Sequence, residues 1–494
     1  MRALLVTSVG VTCAAALTLP LAAPALSAPA AHSASARPPS LSPESPGSGP
    51  PSARTEAAPP PTGTTRAPAL AGSTQSLPLE PLAAPSDRSV GPATPGQGLD
   101  RRTARPFSLV GVVWDDAEAE LHGTVQVRTR ATGGTSWTDW QDVETHNAEH
   151  AADLGSAERA SGAVRGATAP LWVGDSDGVE VRVRPEAADP QHRSAAAPLP
   201  EGLRLELVDP GEDPAPEPAP DAPADRTVTQ AMFAGNPVPP TTTGVVPEVL
   251  TAESAAASAV NADLAPLGAA VIPALTKAET AEEAAIVAAG AKPYIGPRPR
   301  IVTRKGWGAD EKLRERDFAY TKSVKAAFVH HSATGNNYTC KQAPSVLRSI
   351  YRYHVKSSGW RDFGYNFAVD KCGNIYEGRA GGVSKAVLGA HTLGFNTNTM
   401  GIAVLGTYSS TNPPAAAVTA VSKLTAWKLG LFGANPKGKV TLVSGGSGKY
   451  KKGKKVKMKV ISGHRNAFAT ECPGERLYKK LGKARTSSAK LQGR

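Results

Sequence analysis

A short segment near the end of the chain, GHRNAFATECPGERL, contains two residues with the chemistry of metal ligands, His464 and Cys472. Imidazole nitrogen and thiolate sulfur both suit zinc, and a zinc hydrolase uses three protein ligands and leaves the fourth position to water. The spacing of the two residues is not a common signature, so a buried free cysteine is the ordinary alternative. The pair raises a zinc site as a hypothesis that other residues must support.

The use of cysteine in the whole chain strengthens that hypothesis. Residues 1–30 contain one early Arg, an apolar run and then small residues, which predicts a cleaved secretory signal that removes Cys13. Cys340 and Cys372 lie on either side of a predicted helix and the strand after it, so they can form one disulfide in an oxidising compartment. Cys472 is then left without a cysteine partner, and a metal would explain that.

The location of the protein follows from the same signal. A membrane anchor is the alternative reading of the apolar run, but Pro20 and Pro24 interrupt its end and no stop-transfer charges follow. We therefore expect a protein without a stable membrane span, secreted and extracellular or associated with the cell wall. We also expect a monomer.

The net charge of +12 conceals two unlike parts. From residue 301 onward the chain has 34 Lys and Arg against 9 Asp and Glu, whereas the first 300 residues have 21 against 34. A cationic C-terminal part predicts an anionic polymer as partner, and export favours a bacterial envelope over nucleic acid. The lysine cluster at 448–460 either holds anionic wall polymers or is merely solvated. It contains one aromatic residue, Tyr450, so the interleaved aromatics of a nucleic-acid site are missing.

Composition divides the chain into segments. After the signal, residues 31–104 are rich in Ala, Pro, Ser and Gly and predict a disordered spacer. Short alternating runs predict a small all-β domain at 105–210, of sandwich or jelly-roll type, in which four tryptophans either fill the core or bind sugars. A Pro/Ala-rich linker at 211–296 includes weakly helical stretches. The pattern then predicts an α/β domain at 297–484 and a tail at 485–494.

Five motifs in the α/β domain carry a resemblance to a known family. In order they are RKGWGAD, AFVHHSAT, GWRDFGYNFAVDKCGNIYEGR, GAHTLGFNTNTMGIAVLG and ISGHRNAFATECPG. Together they resemble the peptidoglycan recognition protein and type 2 N-acetylmuramoyl-L-alanine amidase family, and most of all its secreted actinobacterial members. The resemblance implies a mixed β-sheet with flanking helices and hydrolysis of the amide between N-acetylmuramic acid and L-alanine in peptidoglycan.

The resemblance also implies roles for individual residues. The zinc ligands map to His330, His464 and Cys472. Tyr365 and Thr470 map to positions beside the metal, where a hydroxyl can stabilise the oxyanion of amide hydrolysis. The substrate-groove positions map to His391 and Asn396.

Two further histidines have other interpretations. Alternation along a strand turns His331 away from its neighbour, which makes it a neighbouring group rather than a ligand. Helical spacing places His354 on the inner face of its helix, in the core.

Three other functions are alternatives to the amidase. Non-catalytic peptidoglycan-binding relatives share the fold but typically lack the cysteine ligand, which this chain keeps. A structural or adhesion protein dominated by the β domain is a second alternative. Glycoside hydrolysis needs a placed pair of carboxylates, and the acids after residue 327 suggest no such pair. The sequence Gly378-Arg379-Ala380-Gly381 departs from the Gly-Trp of many animal members, which leaves the third stem-peptide residue open.

Overall fold

The computed structural model describes residues 71–82, 96–186, 197–214, 250–287 and 294–494. The predicted signal and residues 31–70 of the predicted spacer lie outside these ranges. Among the residues described, no helix is long and apolar enough to cross a bilayer.

The first domain is an antiparallel β domain, as predicted. Its eight strands form one hydrogen-bonded sheet in the order β1-β8-β3-β7-β4-β5, with β2 and β6 also paired to β3. The long strand β3 changes register against β7 at three places, and such irregularities bend a strand. The strands are β1 (Ser73–Pro78), β2 (Glu80–Pro81), β3 (Gln97–Trp114), β4 (Gly123–Ala131), β5 (Gln141–Val143), β6 (Gly166–Ala167), β7 (Leu171–Pro185) and β8 (Arg204–Asp209).

The β domain begins earlier than the sequence predicted. Strand β1 pairs along its whole length with β8, and the start of β3 pairs with β7, within the segment predicted as a disordered spacer. The spacer prediction is therefore wrong for residues 73–81 and 97–104. The segment STQSLP has no alternation of apolar and polar residues that would have signalled a strand, and its stability comes from pairing with β8.

The four tryptophans of the β domain divide into two pairs. Trp114 and Trp172 are buried, as the core interpretation predicted. Trp137 and Trp140 are half-buried, and arginine guanidinium groups lie over their rings at 4.0–5.8 Å from the centroids.

The C-terminal domain is built on a seven-stranded mixed sheet, as predicted, in the order β17-β11-β14-β12-β13-β10-β9. A separate hairpin, β15-β16, carries most of the lysine cluster. The strands are β9 (Val271–Ile272), β10 (Ile301–Val302), β11 (Ala326–His331), β12 (Phe367–Val369), β13 (Ile375–Glu377), β14 (Thr399–Val404), β15 (Lys439–Val443), β16 (Lys455–Lys459) and β17 (Ile461–Gly463).

Helices flank this sheet. In α4, the residues Val346, Leu347, Ile350 and Tyr351 recur at helical spacing and are buried, which explains why this segment is a helix packed on the sheet. Helix α5 starts directly after Pro414, where the missing N–H of proline costs nothing. The helices are α1 (Ala252–Ala259), α2 (Lys277–Val287), α3 (Arg304–Trp307), α4 (Ala343–Arg352), α5 (Ala415–Leu431), α6 (Glu475–Tyr478) and α7 (Leu481–Gln492).

Two segments predicted as linker and tail belong to this domain. In the predicted linker 211–296, α1 and α2 form, and β9 adds an edge strand to the sheet with Ile272 fully buried. In the predicted tail 485–494, the end of α7 packs on α5 and buries Ser488 and Gln492, whose side chains bond to α5. Both predictions are wrong for these residues because the weak local patterns gave no sign of the tertiary contacts.

The β domain and the C-terminal domain share one hydrophobic cluster. Leu109, Trp172 and Val208 of the β domain pack with Trp307 and Tyr353 of the C-terminal domain. The Tyr353 hydroxyl donates to the carbonyl oxygen of Thr168 at 3.1 Å. The two domains thus pack against each other through both apolar and polar contacts.

Candidate metal centre

Two adjacent parallel strands position the histidines predicted as ligands. Strand β17 pairs in parallel with β11, with Gly463 opposite Val329. His330 is the next residue of β11, and His464 directly follows the end of β17, so the two lie side by side at the carboxyl edge of the sheet. Both side chains are fully buried, and their ring centroids are 4.6 Å apart.

Cys472 completes this trio. It follows His464 in the loop before α6, and its Sγ lies 3.7 Å from Nδ1 of His330. Among the described residues it is the free, buried cysteine, since Cys340 and Cys372 are joined by a disulfide with Cα atoms 6.1 Å apart. The structure therefore brings the three predicted ligands together.

A fourth donor, His150, comes from the β domain. It lies in the loop that follows β5, and its Nε2 is 3.2 Å from Nδ1 of His464. Its ring centroid is 5.2 Å from that of His330. One ligand atom from each of His150, His330, His464 and Cys472 lies within 4.8 Å of all the others.

These donor atoms fit a zinc ion. Tetrahedral zinc with bonds of about 2.0–2.3 Å places its ligand atoms about 3.3–3.8 Å apart, close to the two distances above. The other nitrogen of each ring, Nε2 of His464 and Nδ1 of His150, is buried and finds no hydrogen-bond partner among the described residues.

Burial also sets the protonation of the cluster. It lowers the pKa of His150 to about 3 and those of His330 and His464 well below the usual range, so the rings are neutral with lone pairs available. Burial raises the pKa of the Cys472 thiol. A nearby divalent cation would reverse that effect and favour the thiolate.

The two remaining histidines predicted to be non-ligands lie outside the cluster. His331 is buried, and its Nδ1 accepts a long hydrogen bond of 3.4 Å from the backbone of Tyr408. His354 stacks on Trp360 with centroids 4.4 Å apart, and its Nδ1 accepts from the backbone of Gly364. His354 is a core residue, as its position on the helix predicted.

A cleft of about 420 Å³ leads to the cluster. Tyr365 and Thr470 line it, together with two of the four donors, His150 and Cys472. Burial raises the pKa of Tyr365, so its phenol keeps the proton that it would donate. The Thr470 hydroxyl accepts a hydrogen bond of 3.1 Å from the backbone of Cys472.

Of the two predicted substrate-groove residues, Asn396 contacts the β domain and His391 is buried within the C-terminal domain. His391 is fully buried and hydrogen-bonds the neighbouring Thr392 through Nδ1. The Asn396 side chain donates to the carbonyl of Ala151 and to the carboxylate of Asp153. In this structure both groove positions contact protein.

The segment that contacts Asn396 is residues 144–158, which we term the covering loop. Its contacts with the C-terminal domain are spread along its length. The backbone of Leu393 donates to the carbonyl of Glu149, the backbone of Gly394 donates to Asp153, and Glu158 accepts two bonds of 2.8 and 2.9 Å from Arg379. Burial by itself raises the pKa of Glu158, but the charge of Arg379 outweighs it and lowers that pKa.

Sequence reasoning missed His150 and the covering loop. The run ETHNAEH lies in a different domain from the family motifs, and nothing in its local pattern indicates a ligand. The presence of two histidines in seven residues, His146 and His150, was the available signal. It points to a site only after the fold has brought the loop to the sheet edge.

The chain is similar in sequence to known proteins. Residues 320–475 match the family described as N-acetylmuramoyl-L-alanine amidase. Over 183 residues the chain is 32% identical to peptidoglycan-recognition protein SC2 of Drosophila simulans, covering 37% of this chain and 84% of that protein. This chain belongs to the peptidoglycan recognition protein and type 2 amidase family.

Other family members extend the comparison. The chain is 31% identical over 187 residues to the N-acetylmuramoyl-L-alanine amidase of Homo sapiens, covering 36% of this chain and 27% of that protein. The solved structure of Drosophila PGRP-LB aligns with 26% identity, a TM-score of 0.29, and 37% and 92% of the two chains. Residues 59–201 match the family described as Rv3811 N-terminal galactose-binding domain-like. The relatives named here from Drosophila and Homo sapiens are animal proteins, so the similarity to actinobacterial members stays a prediction.

Proposed function

We propose that this protein is a secreted, zinc-dependent N-acetylmuramoyl-L-alanine amidase that cleaves the bond between N-acetylmuramic acid and L-alanine in peptidoglycan. The observation that carries the proposal is the buried trio of His330, His464 and Cys472 at the end of a cleft. Two imidazoles and a thiolate are a ligand set for hydrolytic zinc, and membership of a family that includes amidases supports the reaction.

Zinc bound by this trio would supply polarisation of the scissile carbonyl and activation of a water molecule. The chain's own groups complete the reaction. The Tyr365 phenol, protonated and facing the cleft, donates a hydrogen bond to the oxyanion that forms on the substrate carbonyl. The Thr470 hydroxyl is a second polar group on the same wall. Amide cleavage then releases the glycan from a stem peptide with a free N-terminal L-alanine.

His391 and Asn396 are proposed to contact the muramyl-peptide once the covering loop has moved. The exposed lysines of the hairpin β15-β16 are proposed to hold anionic wall polymers near the cleft. Lys455, Lys457 and Lys459 alternate with two buried residues along β16, so their charges face solvent on one side of the hairpin.

The experiment uses the full chain, both wild type and His150→Ala, a variant without the β-domain histidine. Metal content is measured together with the release of stem peptides from purified peptidoglycan, with and without a chelator. About one zinc per chain and chelator-sensitive release in either protein support the proposal. Binding of peptidoglycan with no release in either protein would contradict it and favour a non-catalytic recognition protein.

A further inference from the structure

The donor set at the metal centre has one member too many for an open hydrolytic site. Catalytic zinc sites keep three protein ligands and an open position, whereas sites with four protein ligands are closed and structural. Here the C-terminal domain supplies three donors, and His150 of the β domain supplies a fourth at 3.2 Å from His464.

His150 stands on the side from which substrate would approach. It lines the cleft with Cys472, whereas His330 and His464 lie behind and are fully buried. Its own exposed fraction is 5%, and its Nδ1 has no partner. An imidazole in this place occupies the position that a hydrolytic water or a carbonyl oxygen needs.

The placement of His150 is built by its neighbours on both sides. Before it, the carbonyl of Glu149 accepts a hydrogen bond from the backbone of Leu393. After it, Asp153 accepts from the backbone of Gly394 at 2.8 Å and from the Asn396 side chain at 2.7 Å. The same contacts that seat the imidazole also cover a predicted substrate position.

We propose that His150 is the fourth protein ligand of the metal centre, and that the β domain thereby keeps the amidase latent until the covering loop is displaced. This inference rests on the proposed function, since it assumes a metal in the site. It assigns a regulatory task to a domain for which the family motifs give none.

The test compares four full-length proteins: wild type, His150→Ala, His150→Asn and His146→Ala. His146 is the matched control because it lies in the same loop and lines the same cleft, but is exposed and is not among the four clustered donors. Asparagine at 150 can still hydrogen-bond His464 but is a poor zinc ligand. It therefore separates ligation from hydrogen bonding, and it also substitutes for the alanine variant if that variant does not fold.

Three quantities are measured: zinc affinity by competition with a chelator, the visible spectrum of the cobalt-substituted protein, and stem-peptide release. Removal of a residue that only hydrogen-bonds a metal ligand weakens metal binding by up to about 100-fold. Removal of a ligand itself should weaken zinc binding at least as much. Both His150 variants should show this loss and a changed cobalt spectrum. Their peptide release should rise about tenfold or more if no more than a tenth of wild-type molecules are open. His146→Ala should keep the zinc affinity and the cobalt spectrum of wild type.

Two results would overturn the inference. If the His150 variants keep the zinc affinity and cobalt spectrum of wild type, His150 is only a hydrogen-bond partner of His464. If they lose zinc and also lose release relative to wild type, His150 is a ligand of the working enzyme and no latency exists. If zinc affinity falls but no protein releases peptide, His150 ligation is supported and the amidase function fails instead.

Discussion

The two sources of the metal donors are built in different ways. His330 and His464 are fixed by register, because β11 and β17 are neighbouring parallel strands whose ends meet at one edge of the sheet. His150 is carried by an irregular loop of another domain and is fixed by side-chain and backbone contacts to residues near the site. The first arrangement cannot be lost without unfolding the sheet, whereas the second can be released by breaking a few polar contacts. A rigid ligand set and a removable cover are what a latent hydrolase requires.

The largest expected effect comes from removing a metal ligand that the C-terminal domain supplies. Cys472→Ala should abolish stoichiometric zinc and reduce peptide release to background, a loss on the order of 10⁴-fold or more, because the activation of water depends on the metal. Metal analysis and the release assay check this prediction. Retained activity with no metal would contradict the zinc mechanism.

A smaller effect is expected from a group beside the metal that is not a ligand. Tyr365→Phe should lower kcat by about 10²–10³-fold, the usual loss of one oxyanion donor, while zinc content and unfolding temperature stay unchanged. The matched control is Tyr320→Phe, which removes a half-exposed hydroxyl bonded to the carbonyl of Gly381. Equal rates for Tyr365→Phe and wild type would remove Tyr365 from the mechanism.

The attachment of the covering loop is tested through the ion pair between Glu158 and Arg379. Glu158→Gln leaves the buried Arg379 without its charged partner, which should weaken docking of the covering loop by about 3 kcal/mol. Hydrogen exchange in residues 144–158 should accelerate, and peptide release should rise. Glu118→Gln is the control, because it removes the exposed carboxylate of a pair with Arg159 in the same domain. Identical exchange in the two variants would show that the pair does not hold the loop.

The smallest effect on the site is expected from the disulfide. Replacing Cys340 and Cys372 with serine opens a loop of about 32 residues, which should lower the free energy of unfolding by about 3–4 kcal/mol. Zinc affinity and the exchange rate of the covering loop should not change, since neither set of donors depends on this bridge. Thermal unfolding measures the change in stability, and competition with a chelator measures zinc affinity. A loss of zinc affinity would mean that the positions of His330 and His464 depend on the disulfide as well as on strand pairing.

The sequence predicted the three donors that the C-terminal domain supplies. The buried run AAFVHH and the motif around His464 identified two histidines, which strand pairing places together. The predicted pairing of Cys340 with Cys372 left Cys472 without a cysteine partner. Local patterns failed where stability depends on distant contacts. Strand β1 depends on pairing with β8, and β9 depends on the sheet edge.

The position of His150 depends on how two domains dock, and no periodicity or motif in one domain encodes that. The same limitation explains why Asn396 was predicted to face substrate, although its amide group donates to the covering loop. Only the folded contact between the domains shows that the predicted groove is covered.

The most direct test of the account is the ligand count of the zinc-loaded, full-length wild-type protein by X-ray absorption spectroscopy. We predict three imidazole nitrogens and one sulfur with no oxygen ligand, because His150 closes the position that a hydrolytic zinc keeps for water. Two imidazoles, one sulfur and one oxygen would contradict the closed site and leave the β domain without a role at the metal.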